Sequence, residues 1–247
     1  MANISVTDEG GVAIVRISRP PANAMDPALV AEGVRVAADL RGADPDAVVL
    51  TGQDRFFSGG LDLTVLPTLA LDDQRAMVHD VNWVFADWYG FPRPLVVAMN
   101  GHAVAGGLIL ALCGDLRVSV TSAKLGLTEV KVGVPYPVAA IEIARAEVPT
   151  RLVRRLVLGG ELIEPQEAHD AGILDELVAD DGLLDRALEL AAGLASHPRR
   201  AYAVVKQQLR GPALERIAAA VSNDPLADGW LDDETTAAAA ATLRRER

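Results

Sequence analysis

Three glycine-bearing loops hold the residue types with chemical potential. They run from Phe56 to Asp62 (FFSGGLD), from Asn100 to Gly107 (NGHAVAGG) and from Leu125 to Glu129 (LGLTE). A glycine backbone can approach a ligand closely and aim an N–H group at it. Two such N–H groups from separate loops can hold an oxygen that gains negative charge, and Gly106 stands just before a helical segment whose positive end would assist. Taken one loop at a time, a plain turn is the simpler reading. Glu129 sits in a stretch of low polarity, where desolvation would raise its pKa and make it a stronger base once ionised. Its spacing alone favours a surface glutamate paired with Lys124 or Lys131. His102, in an apolar stretch, reads as a hydrogen-bonded structural histidine, and Cys113 as a buried core residue.

Other chemistries lack their motifs. No loop has the GxxxxGK(S/T) or GxGxxG pattern, and Ser58 is not in a GxSxG elbow. The histidines at 79, 102, 169 and 197 show no metal-ligand spacing. A single cysteine excludes an intramolecular disulfide and fits a reducing compartment. The amino-terminal residues lack the basic and apolar regions of a secretion signal, so a cytoplasmic location is expected.

The elements that must position these loops are legible as hydrophobic patterns. Ala47 to Thr51 (AVVLT), Leu95 to Met99 (LVVAM) and Leu116 to Val120 read as buried strands, each leading into one of the loops. Val12 to Ile17 reads as a strand paired with Ile4 to Thr7 across Gly10-Gly11. Asp26-Pro27 opens a helix that Leu29, Val30, Val34, Ala37 and Leu40 continue until Gly42. A longer helix is expected around Arg75 to Trp88, and LILALCG reads as a third. Strands alternating with helices predict an α/β architecture. The uncharged stretch 94–114 mimics a membrane span, but Asn100-Gly101 and Gly106-Gly107 interrupt it. From Thr150 onward strand signals stop. Helical patterns follow from Thr150, Pro165, Leu183, Pro198 and Pro212, then over the alanine-rich 235–243, so an all-helical extension is expected.

The chain has 247 residues, half of them hydrophobic but only 4% aromatic, and a formal net charge of −11. That is enough apolar material for a large core of Ala, Val, Leu and Ile and excludes a disordered chain. An acidic surface repels a nucleic-acid polyanion. The short basic clusters Arg151/Arg154/Arg155 and Arg244/Arg245/Arg247 read as solvated helix faces.

Five segments in order carry a family likeness: PPANAM at 20–25, VVLTGQDRFFSGGLDL at 48–63, PLVVAMNGHAVAGGLILALCGD at 94–115, LGLTEVKVGVP at 125–135 and the helical stretch from Arg155 that ends in EAHDAGILDELV at 178. Together they resemble the crotonase superfamily, the enoyl-CoA hydratase/isomerase family. The resemblance implies an α/β fold, a spiral of ββα units over 1–190 followed by a helical trimerisation region over 191–247. It implies an acyl-CoA substrate, no cofactor beyond the CoA that the substrate carries, no metal, and a homotrimer or a hexamer made as a dimer of trimers, with neither nucleic acid nor membrane as partner. The Leu61 and Gly106 amides would form the oxyanion hole. Ala22, Ala24 and Met25, with Leu61, Asp62, Leu63, Thr64 and Gly106, would bind CoA and substrate. Lys206 is a weaker candidate for a CoA phosphate contact, and a solvated helix lysine is its favoured reading.

Hydratases of the family are similar to one another in having two glutamates. Here the positions that match them hold Ile109 and Glu129. The resemblance therefore implies a Δ3,Δ2-enoyl-CoA isomerase, with Glu129 moving a proton from C2 to C4 of a 3-enoyl-CoA. Two alternatives stay open: a hydratase of fatty acid β-oxidation in which Asp62 or Glu142 replaces the missing glutamate, and a non-catalytic acyl-CoA binder.

Overall fold

A computed structural model of the chain describes residues 2–226 together with 235, 237, 238 and 241. Strands β1 (Ile4–Glu9) and β2 (Val12–Ile17) form an antiparallel hairpin over Gly10 and Gly11, both at positive φ. Helix α1 (Pro27–Ala43) starts where Asp26 accepts the Leu29 amide at 2.8 Å and Pro27 takes the first turn. It runs past Gly42 and ends at Asp44, which adopts the left-handed conformation.

Three units then repeat one plan. β3 (Ala47–Thr51) leads to β4 (Phe56–Ser58) and α2 (Leu71–Tyr89). β5 (Leu95–Met99) leads to β6 (His102–Val104) and α3 (Gly106–Leu112). β7 (Leu116–Val120) leads to β8 (Leu125–Gly126) and, after a 3-10 turn, α4 (Val138–Glu147). The first strand of each unit joins a six-stranded sheet in the order β1-β2-β3-β5-β7-β10, parallel beyond the hairpin. The second joins a four-stranded sheet in the order β4-β6-β8-β9. This is the ββα spiral that the resemblance implies. The uncharged stretch 94–114 is accordingly a strand, a turn, a short strand and a buried helix. Among the described residues no helix is long and apolar enough to cross a membrane.

The core is aliphatic. Val48, Val49, Val96, Val97 and Val118 are fully buried between the helices and the sheet, and α3 is buried along its whole length. Such continuous apolar runs are what parallel strands covered on both faces require.

The part after Thr150 departs from the all-helical expectation. α5 (Thr150–Val157) is followed by β9 (Leu162–Ile163), α6 (Pro165–Asp170) and β10 (Glu176–Val178), so both sheets take a last strand from this region. The two strands are only two and three residues long, too short for a periodic signal. α7 (Leu183–Ala195) packs on β3, β5 and β7 and spans residue 190, so the 190/191 boundary falls within one helix. α8 (Arg199–Ala220) contains Pro212 in its interior, so the helices expected from Pro198 and Pro212 are one. Of the alanine-rich helix, Thr235, Ala237, Ala238 and Ala241 are helical. Its other residues, and the arginines at 244, 245 and 247, lie outside the described residues.

Candidate active site

The three loops meet. Leu61 to Thr64, Ala105 and Glu129 line one cavity of about 340 Å³ together with Arg19, Ala22, Ala24, Val132 and Val134. The sheet brings β3, β5 and β7 side by side, so the segments that follow them lie at one end of the molecule.

The Leu61 and Gly106 amides come from adjoining loops. A Cβ on Gly60 would stand 2.8 Å from Ala105 Cβ and 3.0 Å from Gly106 N, and Gly60 sits at φ +80°, so a glycine is required there. Ala105 takes φ +53°, an unusual conformation for a residue with a side chain, immediately before the first turn of α3. Met25 staples the first loop: its amide donates to the Gly60 carbonyl at 2.7 Å, and its carbonyl accepts the Asp62 amide at 2.9 Å. The intervening Leu61 amide, like that of Gly106, has no protein acceptor among the described residues.

Glu129 opens a 3-10 turn that Gly133 closes at φ +70°. The residue is 6% exposed, and its Oε2 has no hydrogen-bond partner among the described residues. Burial pushes the carboxyl up to about 7, although its own amide and the Tyr136 hydroxyl oppose the shift. The surface pairing that spacing favours is therefore not what forms. Lys124 pairs with Glu164, and Lys131 lies along Gly160. Asp62 lines the same cavity under the opposite influence. Burial pushes its carboxyl up, but bonds from the Thr64 hydroxyl (2.6 Å), the Thr64 amide (3.0 Å) and Arg19 (2.8 Å) outweigh it and hold the group below its usual range.

Of the residues expected along the CoA, Ala22, Ala24, Leu61, Asp62, Leu63 and Thr64 line the cavity. Met25 and Gly106 do not: Met25 is buried, with its sulfur behind Gly106, and Ala105, the residue before Gly106, lines the cavity instead. Lys206 overturns both readings given for it. It is neither solvated nor near the cavity but 8% exposed, bonded to Asp115 at 2.8 Å and to the Arg93 carbonyl at 3.1 Å. Burial, partly offset by Asp115, lowers its pKa to about 8. Ile109 is fully buried in α3. Glu142 is bound to Arg145 and, at 2.6 Å, to Arg216, and does not line the cavity. Cys113 is a core residue, as expected. His102 is not hydrogen-bonded as expected: its buried Nδ1 has no partner among the described residues, and its ring packs edge-on to Phe56. Arg151, Arg154 and Arg155 do form a solvated face, on which Arg155 pairs with Glu161 and Glu167.

Two residues missed in the sequence hold the site together. Asn23, 2% exposed at φ +50°, donates through Nδ2 to the Phe56 carbonyl at 2.8 Å and the Gln53 carbonyl at 3.1 Å, while its Oδ1 accepts the Arg19 amide. Arg19 ties Asp26 to Asp62 and donates to the Ala24 carbonyl at 3.0 Å. The available signal was an asparagine after Pro20-Pro21, since Asn tolerates left-handed turns.

Residues 7–224 match the family model described as enoyl-CoA hydratase/isomerase. The chain belongs to the enoyl-CoA hydratase/isomerase family. It is 34% identical over 227 residues to a probable enoyl-CoA hydratase of Mycobacterium tuberculosis, covering 88% of this chain and 86% of that one. It is 32% identical over 216 residues to the 2,3-dehydroadipyl-CoA hydratase of Escherichia coli, covering 85% and 82%. The crystal structure of human mitochondrial Δ3-Δ2-enoyl-CoA isomerase superposes with a TM-score of 0.92 at 25% identity, covering 99% of this chain and 98% of that one. The family membership makes this chain an enzyme acting on enoyl-CoA thioesters, and the crotonase fold accounts for both of its sheets.

Proposed function

We propose that this enoyl-CoA hydratase/isomerase family member moves the double bond of a 3-enoyl-CoA to give the 2-trans-enoyl-CoA. One observation carries the reading: Glu129 is a buried carboxylate with no cationic partner among the described residues, and the matching position on α3 is the buried, apolar Ile109. The likeness to the human isomerase supports it.

In this mechanism the thioester oxygen accepts hydrogen bonds from the Leu61 and Gly106 amides. Glu129 removes a proton from C2. The electron pair delocalises into a dienolate whose charge rests on the thioester oxygen, where preorganised donors are most effective. The protonated Glu129 then returns the same proton to C4, and the double bond lies between C2 and C3. A carboxyl whose pKa lies near 7 suits both halves, since it accepts and releases a proton at neutral pH. Ala22, Ala24 and the Leu61 to Thr64 segment border the CoA moiety. The step needs no further cofactor.

Hydration is the second reading, favoured by the names of the Mycobacterium and Escherichia relatives. It requires a second acid–base group. Asp62 is committed to Arg19 and Thr64, and Glu142 to Arg216. Purified protein assayed with 3-enoyl-CoA and 2-enoyl-CoA side by side decides between them. We expect isomerisation without net hydration, and 3-hydroxyacyl-CoA as the main product would reverse the assignment.

The assembly belongs to the same proposal. Val204, Val205 and Leu209 expose an apolar face of α8 at 49%, 60% and 79%, which suits a homotrimer or a hexamer.

A further inference from the structure

Two cavities share one stretch of chain. Glu129, Val132 and Val134 border the active-site cavity of about 340 Å³. Val134 also borders a second cavity of about 600 Å³, together with Gly133, Pro135, Tyr136, Ile141 and Leu158. Among the described residues Val134 alone borders both, and no charged side chain borders the second. An apolar space of that size suits a hydrocarbon chain.

The backbone of this partition is pinned. The Val134 amide donates to the Glu129 carbonyl at 3.0 Å, and the Gly133 carbonyl accepts the Thr235 hydroxyl at 2.7 Å. A Cβ on Gly133 would stand 3.0 Å from Thr235 Cα, so the chain has no room to shift that way. What can vary without moving Glu129 is the Val134 side chain, which is itself buried.

We propose that Val134 sets the acyl-chain length that the enzyme accepts, its side chain closing the active site against a second apolar cavity that would otherwise take the tail of a longer acyl-CoA. This rests on the proposed reading of the site, with the thioester on the Leu61 and Gly106 amides and C2 to C4 beside Glu129. In that placement the CoA arm follows Ala22, Ala24 and the Leu61 to Thr64 segment. The carbons beyond C4 pass Glu129 and meet Val132 and Val134, which belong to the turn that Glu129 opens. The active-site cavity lies at the low end of the range for ligand pockets, about 300–1,000 Å³. Thioester, reacting carbons and part of the CoA arm fill most of it, so the parent takes a short acyl chain.

The test measures binding of butanoyl-, octanoyl- and dodecanoyl-CoA, which carry no double bond to move, by titration calorimetry. It compares the parent, Val134→Ala, and Val134→Ala combined with Ile141→Phe, whose ring would refill the second cavity. Alongside, kcat/KM is measured for 3-enoyl-CoAs of the same three lengths. In the parent, dodecanoyl-CoA should bind no better than butanoyl-CoA. In Val134→Ala the ratio of dodecanoyl to butanoyl affinity should rise by about 15- to 60-fold, the worth of two or three further buried methylenes. Adding Ile141→Phe should reverse most of that gain. Each readout is a ratio within one variant, so a general loss of folded protein cancels. A parent that already favours dodecanoyl-CoA, or a ratio that Val134→Ala leaves unmoved, overturns the proposal. A gain that Ile141→Phe does not reverse places the tail elsewhere and overturns it as well. If the binding ratio shifts as expected while the parent isomerises none of the 3-enoyl-CoAs, the isomerase reading fails and the role of Val134 stands.

Discussion

At Glu129 two demands on one side chain conflict. Catalysis by the proposed route needs a base that is ionised near neutrality yet poorly solvated, and a folded core resists such a group. Glu129→Gln keeps the shape and removes the base. We expect the isomerisation rate to fall by about 10²–10⁴, the usual worth of a general base. In the parent, kcat/KM should rise with pH through about 7 as the carboxyl ionises, and a pH–rate profile checks this. Stability should respond in the opposite sense. The folded pKa lies above the ordinary value of 4.5, so the protonated carboxyl favours the fold; that contribution is complete below pH 4.5 and lost as pH rises through about 7. Glu129→Gln has no such loss. Its stability relative to the parent should therefore grow by up to about 3 kcal/mol between those limits and then level off. Denaturant titrations at pH 4, 6 and 8 measure this, and a pH-independent difference would show that the carboxyl is not perturbed by burial.

At the scale of elements, the geometry of two amides depends on two loops that cannot both carry side chains at their contact. Ala105 supplies a Cβ at the crossing, so Gly60 must lack one. Gly60→Ala would bring two Cβ atoms to 2.8 Å at a residue held at φ +80°, and the loops must separate. The Leu61 and Gly106 donors would then be misplaced with Glu129 untouched. We expect kcat for 3-enoyl-CoA to fall by about 10²–10³, as when one oxyanion donor is lost, with the Glu129 limb of the pH profile unmoved. Steady-state kinetics across pH separates this from damage to the base. The sequence reveals these elements unevenly. AVVLT, LVVAM and Leu116 to Val120 are continuous apolar runs because both faces of that sheet are covered, and burial imprints itself on residue type. The second sheet leaves no such imprint: FFS, HAV, LG and LI are too short for periodicity, and only the family likeness implied a second strand in each unit. Glu129 shows the limit at the site. Its neighbours suggest a surface pair, and only the three-dimensional meeting of loops buries it. Asn23 and Arg19 were invisible for a related reason, since their partners lie up to 43 positions away along the chain.

For the whole molecule the question is how the last long helix is held to the sheet. Asp115, at the entry to β7, accepts the Leu95 amide, the Tyr202 hydroxyl and Lys206 Nζ, each at 2.8 Å, and pairs with Arg210 at 3.1 Å. Arg210 also donates to the Tyr89, Cys113 and Gly114 carbonyls and lies over the Tyr89 ring at 4.4 Å. One carboxylate thus joins β5, β7 and α8 at the strand ends opposite the cavity. The members of this cluster are not equivalent. Lys206 is the costly one: its folded pKa of about 8 lies below the ordinary 10.5, so its charged form is disfavoured by the fold. Replacing it by Met removes that burden and leaves Asp115 with Arg210, Tyr202 and the Leu95 amide. We expect Lys206→Met to change stability at pH 7 by less than about 1 kcal/mol in either direction. Asp115→Ala should be far worse, because it strands two buried cations at once, and a loss of about 3–5 kcal/mol is expected. For a chain of this size that lowers the melting temperature by roughly 6–20 °C. Combining the two substitutions should restore part of the loss, since one of the stranded charges is then gone. Activity per folded molecule should stay at the parent level in all three variants, because the cluster lies at the far end of the strands from Glu129. Thermal melts read together with kcat on the soluble fraction check both halves. Equal losses for Lys206→Met and Asp115→Ala would mean that the cation, not the shared carboxylate, anchors α8.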